Sequence, residues 1–517
     1  MSVDKLRGSY HVNRVSPNEI GLLLSAQSYR PAVTKAINKI KEGEWRTLQS
    51  LISNVISPGP HPKYDGSYPC LKTKNVQDLI ADTSPADWAD VSSINDLEKV
   101  QVGKGDLLIN LTGAGSIGRV SVYYGSDLPI TNQHIAKMSP NNLIDEGYLV
   151  AYLRSFYAER ALEQGVAGST GQINMVNEHV RCTPIRICHP SAQKYIGDKV
   201  RQANSLQILI KKTQNQLNQK AKNAEFDTIL LQENVKYGFV TRKHLSTRLD
   251  PNYSNKRALR IIENIDKRSV PLSELAISVA NGYEDRNFVE NGLLYVTGTE
   301  LSSGRLDTEE APKIEHSIEI PQRVIANEKC VLFVRVGTVG KLGKVSLYDS
   351  GCVVSSNVIK VEFESQEIAA AVCAFYQSDA GQVLLKKISF GVIQSQIGQG
   401  ELLGLPVPNY CLDKKSIFLK LMNLIEVSFR NQKNLLKFSK LLVEEVIDGQ
   451  ITEQQLVEAQ QALEEGDDSL DRTLLKCMTA EGIDADSAPL FDDIDQLYDL
   501  LEQAKQAVDA DDTMTEV

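Results

Sequence analysis

The segment LTGAGSIGRVSVY, residues 111–123, returns at residues 336–348 as VGTVGKLGKVSLY. Gly115 falls on Gly340, Gly118 on Gly343, Arg119 on Lys344, Val120 on Val345, Ser121 on Ser346 and Tyr123 on Tyr348, always 225 positions later. At the same offset Thr131 and Asn132 meet Ser356 and Asn357. PCLKTKNV (69–76) meets LYVTGTEL (294–301), with Leu71 on Val296, Lys74 on Thr299 and Val76 on Leu301. One position less relates Tyr29 to Tyr253, Leu48 to Leu272, Leu51 to Leu275 and Gln172 to Gln396, and Pro184 meets Pro406 at 222. A period this long is not that of a solenoid. A unit of this size buries its own core. The chain reads as a tandem duplication of whole domains.

Gly113, Gly115 and Gly118 have the G-x-G-x-x-G spacing of dinucleotide loops. Such a loop must open a helix whose N-terminus receives the phosphates. Here GDLLIN precedes it, and the β-branched, aromatic RVSVYYGSDLPITNQ follows. Both read as strands. The second copy has Thr338 where the first has Gly113, so the turn is kept and the fingerprint lost. The context speaks against a nucleotide site.

Each copy has two parts. The first is strand-like, as in VLFVRVGTVGKLGKVSLYDSGCVVSSNVIKVEF, with helical pieces at 146–164 and 367–388. The second is one long helix. Between 190 and 225, Ile196, Val200, Ala203, Ile210, Leu217, Ala221 and Ala224 recur at steps of three and four, with Gln207 and Gln214 completing the series. Between 413 and 446, Phe418, Met422, Ile425, Phe429, Leu436, Val443 and Val446 do the same, with Gln432 and Ser439 in the gaps. Both patterns are heptad seams, and polar residues on a seam fix register at some cost in stability. An amphipathic helix packed on its own domain gives the same periodicity; two matched helices in one chain favour packing on each other.

The net charge of −10 at first argues against nucleic acid. Its distribution reverses that. Residues 451–517 hold 19 Asp and Glu against 3 Lys and Arg, a net of −16, which leaves +6 on the rest. A mildly basic body with an acidic tail is compatible with DNA binding by the body. The tail reads as largely solvated, with a short helix in DIDQLYDLLEQAKQAVDA. The eight cysteines form no C-x-x-C pair and no metal set. No signal peptide and no apolar run of membrane length is seen, so a cytoplasmic protein is expected.

Catalytic motifs are missing. LDPNY (249–253) imitates the D-P-P-Y tetrapeptide of adenine methyltransferases, but Asn252 replaces the second proline and no cofactor loop precedes it. No P-loop, H-E-x-x-H or G-x-S-x-G occurs. His134 has Ile359 in its place in the second copy. A binding protein is the simpler reading.

Taken together, T-G-x-G-x-I-G-R-V at 112–120, T-N-Q at 131–133, GSTGQINMVNEHVRCTPIRI at 168–187 and the helix that follows resemble the specificity subunit of type I restriction-modification systems. The second copy repeats them more weakly in VGTVGKLGKV (336–345), SSN (355–357) and SFGVIQSQIGQGELLGLPVP (389–408), and then its helix. The likeness spans about residues 45–446; a relative serving another methylation-dependent defence system would fit as well. The resemblance implies an α+β fold: a tandem duplication of two target recognition domains separated by two long antiparallel coiled-coil helices, with an acidic C-terminal tail. The corresponding boundaries are a lead-in 1–44, recognition domain 45–189, spacer helix 190–225, connector 226–269, recognition domain 270–410, spacer helix 411–450 and tail 451–517.

The resemblance further implies that each domain reads one half of a bipartite double-stranded DNA target while the helices set the unread gap. Methyltransferase subunits, usually two, would dock on the spacer and bring S-adenosylmethionine with the pocket for a flipped adenine. A nuclease-translocase subunit can join. The chain itself would be no enzyme, and would hold no cofactor or metal. Readout needs side chains at base edges, supported by phosphate contacts. The candidates are Lys72, Lys74, Asn75, Arg119, Asn132, Gln133, His134, Ser169, Thr170 and Gln172 in the first copy, and Thr297, Thr299, Arg335, Lys341, Lys344, Asn357, Gln394 and Gln396 in the second. Two readings of other classes stay open: a coiled-coil scaffold that never reads sequence, and a self-contained DNA-modification enzyme, which the missing motifs disfavour.

Overall fold

The structure is a computed structural model that describes residues 15–17, 20–84, 86–92, 94, 96–168, 173–231, 248, 250–265, 268–316, 320–391 and 395–515. The chain divides into two compact units, Met1–Ile208 with Arg430–Val517, and Leu209–Phe429.

In the first unit, Leu107–Asn110 is the middle strand of a three-stranded antiparallel sheet, between Val120–Val122 and Ile135–Met138. Its sequence LLIN does not alternate, and all four residues are buried, as befits a strand covered on both faces. A second sheet centres on Lys63–Leu71, antiparallel to Asp87–Asp90 and parallel to Ile130–Thr131. Trp45–Thr47 pairs with Pro184–Arg186. Helix Pro31–Lys41 starts on a proline, which suits the first helical position, and buries Val33, Ala36 and Ile40 at helical spacing. It packs on helix Phe156–Glu163. Helix Glu146–Leu153 is capped by Asp145, whose Oδ1 accepts from Tyr148 N at 2.9 Å. Its Gly147 crosses the first long helix at Gly197 so closely that an added Cβ would lie 2.7 Å from the Gly197 Cα.

The second unit repeats this plan. Cys330–Val334 lies between Leu342–Lys344 and Val358–Phe363, and Leu293–Val296 runs antiparallel to Lys313–Ile314 and parallel to Val353–Val354. Ser269–Pro271 pairs with Pro406–Pro408, and helix Lys256–Ile265 packs on Asp379–Ile388. Residues read above as lead-in and connector therefore supply matching helices to their units. The copies differ at one edge. Ala276–Asn281 adds a fourth strand in the second unit, whereas in the first the run 52–62 along the matching edge includes Pro58, Pro60 and Pro62 and, among the described residues, makes the isolated bridges Ile52–Pro140 and Pro58–Ala136 there. Proline has no N–H to give a ladder.

In both copies the glycine segment is a turn between two strands, with Gly113, Gly115, Gly118, Gly337 and Gly340 all at positive φ. No helix follows it. Another turn is shared after the strands Lys63–Leu71 and Leu293–Val296. Asn75 Oδ1 accepts from Lys72 N at 2.9 Å, and Glu300 Oε2, at the same place in the repeat, accepts from Thr297 N at 2.7 Å.

The long helices are Pro190–Ala221 and Lys415–Asp448, of 32 and 34 residues. The unit boundary falls inside each of them. Within the second unit the end of one meets the start of the other: Lys414 Nζ donates to Lys220 O at 3.1 Å and Tyr410 Oη to Ala221 O at 2.9 Å, and Leu217, Ala221, Phe418 and Ile425 share a core. From Ile196 onward the apolar buried positions of the first helix are Ile196, Val200, Ala203, Leu206, Leu209, Leu217 and Ala221, with Lys199 and Thr213 buried among them. In its middle they leave the strict seam, with Gln207, Ile210 and Gln214 only half-buried, as a straight helix drifts from a seven-residue repeat.

Residues 451–517 are not the solvated tail read from their charge. Helices Glu453–Glu464, Ser469–Cys477 and Ile494–Thr515, with the hairpin Met478–Thr479/Gly482–Ile483, form part of the first unit. Leu456, Val457, Leu475, Met478, Phe491, Leu497 and Leu500 are buried, and Phe491 meets Phe438 of the second long helix edge-on at 5.9 Å. One acid is buried as well. Asp471 accepts from Lys199 Nζ at 2.6 Å, Tyr195 Oη at 2.5 Å and Tyr498 Oη at 2.6 Å. Burial pushes its carboxyl up, but the Lys199 charge and these three bonds outweigh that and leave it below the usual carboxylate range.

Asp471→Asn leaves the Lys199 ammonium buried without its counter-charge and is expected to cost the first unit about 3–5 kcal/mol in a denaturant melt, while Lys199→Met with Asp471→Leu recovers most of it. Because the folded carboxyl is depressed, its contribution is complete above the ordinary carboxylate range and fades as the pH falls through the folded value. That acid limb should vanish in Asp471→Asn. Asn75→Ala strips the cap of the Lys72 turn and is expected to destabilise the same unit by about 1–3 kcal/mol, read as a lower melting temperature.

Candidate nucleic-acid interface

The first unit gathers three of the sequence-predicted segments. Lys72 and Lys74 follow strand Lys63–Leu71, and Asn132, Gln133 and His134 follow Ile130–Thr131. These strands are parallel neighbours, Leu71 opposite Thr131, so both segments leave the sheet at one end. Tyr64 lies between them. Lys72 Nζ stands 3.5 Å from the centre of its ring, and Asn132 Nδ2 donates to its hydroxyl at 3.3 Å. Asn132 Oδ1 accepts from His134 N at 3.2 Å. The His134 ring joins Thr112 Oγ1 at 2.9 Å through Nδ1 and Gln133 Nε2 at 3.1 Å through Nε2. An amide nitrogen can only donate, so Nε2 is the acceptor and Nδ1 carries the proton to Thr112.

Asp87 starts the antiparallel strand opposite Cys70. Its Oδ2 is 3.0 Å from Lys74 Nζ and 3.1 Å from Lys72 Nζ. The hydrogen bonds from Lys74 and Lys72 hold its carboxyl below the usual range. Trp88, next on the strand, is 58% exposed. Arg119 bonds Gln77 Oε1, and Gln77 Nε2 donates to Thr73 O at 2.9 Å, which ties the glycine turn to the lysine turn. Ammonium groups, a guanidinium, side-chain amides and the exposed Tyr64 ring thus share one region, the mixture that phosphate contact and base-edge readout require.

Some candidates serve the fold instead. Asn75 is buried, with Oδ1 taken by Lys72 N and Nδ2 donating to Asp82 O at 2.7 Å. Asn132 is buried too. In the second unit Thr297 donates its hydroxyl to Glu300 at 2.7 Å and accepts from Thr299 N at 3.1 Å. Arg335, Asn357 and Gln396 come together: Arg335 N donates to Asn357 O at 2.8 Å, and Ile397 N to Arg335 O at 2.9 Å. Gln396 pairs through its backbone with Phe390, and Lys341 is exposed on the glycine turn. Lys344 is buried, its Nζ donating to Val345 O at 3.0 Å, and burial pulls its pKa down.

Lys344 differs from Arg119 for a reason of register. Asn110 N donates to Arg119 O at the mouth of the first hairpin, whereas Lys344 pairs with Val331 deep in the second. By the repeat, Asn110 corresponds to Arg335, so the returning strand of the second hairpin has slipped by four residues and carried its lysine into the sheet. Ser169, Thr170, Gln172 and Gln394 lie outside the described residues.

Tyr64, Asp87, Trp88 and Thr112 were missed in the sequence. Asp87 and Trp88 stand in SPADWAD, distant along the chain from the lysines, and only the pairing of Cys70 with Asp87 brings them near.

Residues 61–219 match the family described as the type I restriction modification DNA specificity domain. No curated protein matches the chain. Among solved structures, it is similar to the S subunit of a type I restriction-modification system from M. genitalium, at 12% sequence identity and a TM-score of 0.41, with 78% of this chain and 96% of that chain covered. The HsdS subunit from Thermoanaerobacter tengcongensis shows 14% identity and a TM-score of 0.28, with 79% and 97% covered. The matched residues, which hold the strand Lys63–Leu71, both turns and nearly all of the first long helix, are similar to the DNA specificity domain of type I restriction-modification systems.

Proposed function

We propose that the chain is the address reader of a DNA adenine methyltransferase and restriction complex, each unit reading one half of a bipartite duplex target. The observation that carries this is the polar region built on Tyr64, Lys72, Lys74 and His134, which lies wholly inside the matched specificity domain. The second unit has the same scaffold with other side chains, Thr297 for Lys72 and Ile359 for His134, as expected of two readers with different half-sites. The long helices set the unread gap and dock methyltransferase subunits, which hold S-adenosylmethionine and do the chemistry. The chain contributes recognition and assembly. The folded acidic segment takes no part in readout, because its exposed carboxylates repel phosphate.

The test is binding of the chain, with its methyltransferase, to libraries randomised in one half-site at a time. Lys72→Ala with Lys74→Ala is expected to degrade one half-motif only, and Arg335→Ala with Lys341→Ala the other. A side chain that makes a bidentate base contact costs roughly 1–3 kcal/mol of discrimination at its base pair when removed. A lysine that touches only phosphate weakens all sequences alike. Equal loss in both halves, with the fold intact, refutes the two-reader assignment.

A further inference from the structure

Two cations of the first unit meet one carboxylate, Asp87, and resting on the DNA reading above, we propose that Asp87 is a positioning residue that restrains Lys72 and Lys74 and so suppresses indiscriminate binding. The geometry is specific. Asp87 Oδ2 lies 3.1 Å from one ammonium and 3.0 Å from the other, and the Tyr64 ring covers Lys72 from another side at 3.5 Å. Lys72 is further fixed at its backbone by Asn75. A phosphate that approaches must displace Asp87 and meets its negative charge while doing so. A neutral base-edge acceptor that takes a remaining N–H of a held ammonium leaves Asp87 in place and meets no such barrier. A carboxylate in this place therefore subtracts from binding to any duplex and leaves selectivity to geometry, a repulsive element of the kind specificity requires.

The repeat supplies an independent check. Cys70, which faces Asp87, corresponds to Tyr295, whose N donates to Pro312 O at 2.8 Å. Where the first unit has two lysines and an aspartate, the second has Thr297, Thr299 and Pro312, with neither the cations nor the restraint.

The bridges are partly exposed, Lys72 at 30%, Lys74 at 47% and Asp87 at 34%, so each is individually weak. The purified full chain is titrated with a mixed-sequence DNA duplex over a range of salt, as wild type, Asp87→Asn, Asp87→Glu and Asp90→Asn. Asp90 stands on the same strand, its carboxylate accepting from Ser92 N and Oγ with the Lys63 charge nearby, so its amide changes net charge equally without freeing Lys72 or Lys74. Asp87→Asn is expected to bind the mixed duplex about three- to tenfold more tightly at low salt. The slope of log affinity against log salt should steepen by about one to two, as freed lysines displace counterions. Asp87→Glu and Asp90→Asn should follow wild type, and all four melt alike. An unchanged slope in Asp87→Asn, or an equal gain in Asp90→Asn, overturns the restraint while the DNA reading stands. A wild-type chain that binds no duplex overturns both.

Discussion

The amide of Asn110 joins the two turns on which the first unit's polar region depends. It ends the buried middle strand and is itself inaccessible to water. Its Nδ2 donates to Thr73 O at 3.3 Å and Val76 O at 3.1 Å, inside the lysine turn. Its backbone receives Gly118 N and gives its own N–H to Arg119 O, each at 2.9 Å, inside the glycine turn. These two bonds from Nδ2 and two through the backbone, all at one buried residue, leave little freedom in the loops around it. Lys72, Lys74 and Arg119 thus project from a rigid base, as a reader that compares closely similar ligands requires.

The duplication was legible because it lies in strands and turns, where Val120, Ser121 and Tyr123 recur with the pleat and the glycines recur with positive φ. The long helices were legible from periodicity, although Leu206, Leu209 and Thr213 carry the middle of the first helix's buried face and the heptad count gave those places to Gln207 and Ile210. The charge of residues 451–517 misled. Averaged over the segment, 19 acids conceal the spacing of Leu456, Leu475, Leu497 and Leu500, and nothing local tells Asp471 from its solvated neighbours. Its partner Lys199 stands far away in sequence.

The site shows the same limit. Basic and amide residues after a strand can be picked out as candidates one by one. Which of them bond one another is decided by sheet register. Asp87 meets the lysines because Cys70 pairs with it, and Lys344 is buried because its hairpin has slipped by four residues against the first. Both depend on long-range pairing that no window along the chain contains.

The first unit is discontinuous, made of residues 1–208 and 430–517 around a continuous second unit. On the ribosome domains usually fold in the order they are made. Here the order is inverted. The second unit is complete once Phe429 has left the exit tunnel, while the first, though begun earlier, waits for Asp471 and Phe491 to arrive. Until then Lys199 and the face around Tyr195 lack those partners, so the nascent chain carries an unfinished core through the synthesis of more than half its length, and a chaperone that shields that half would act longest on the domain translated first.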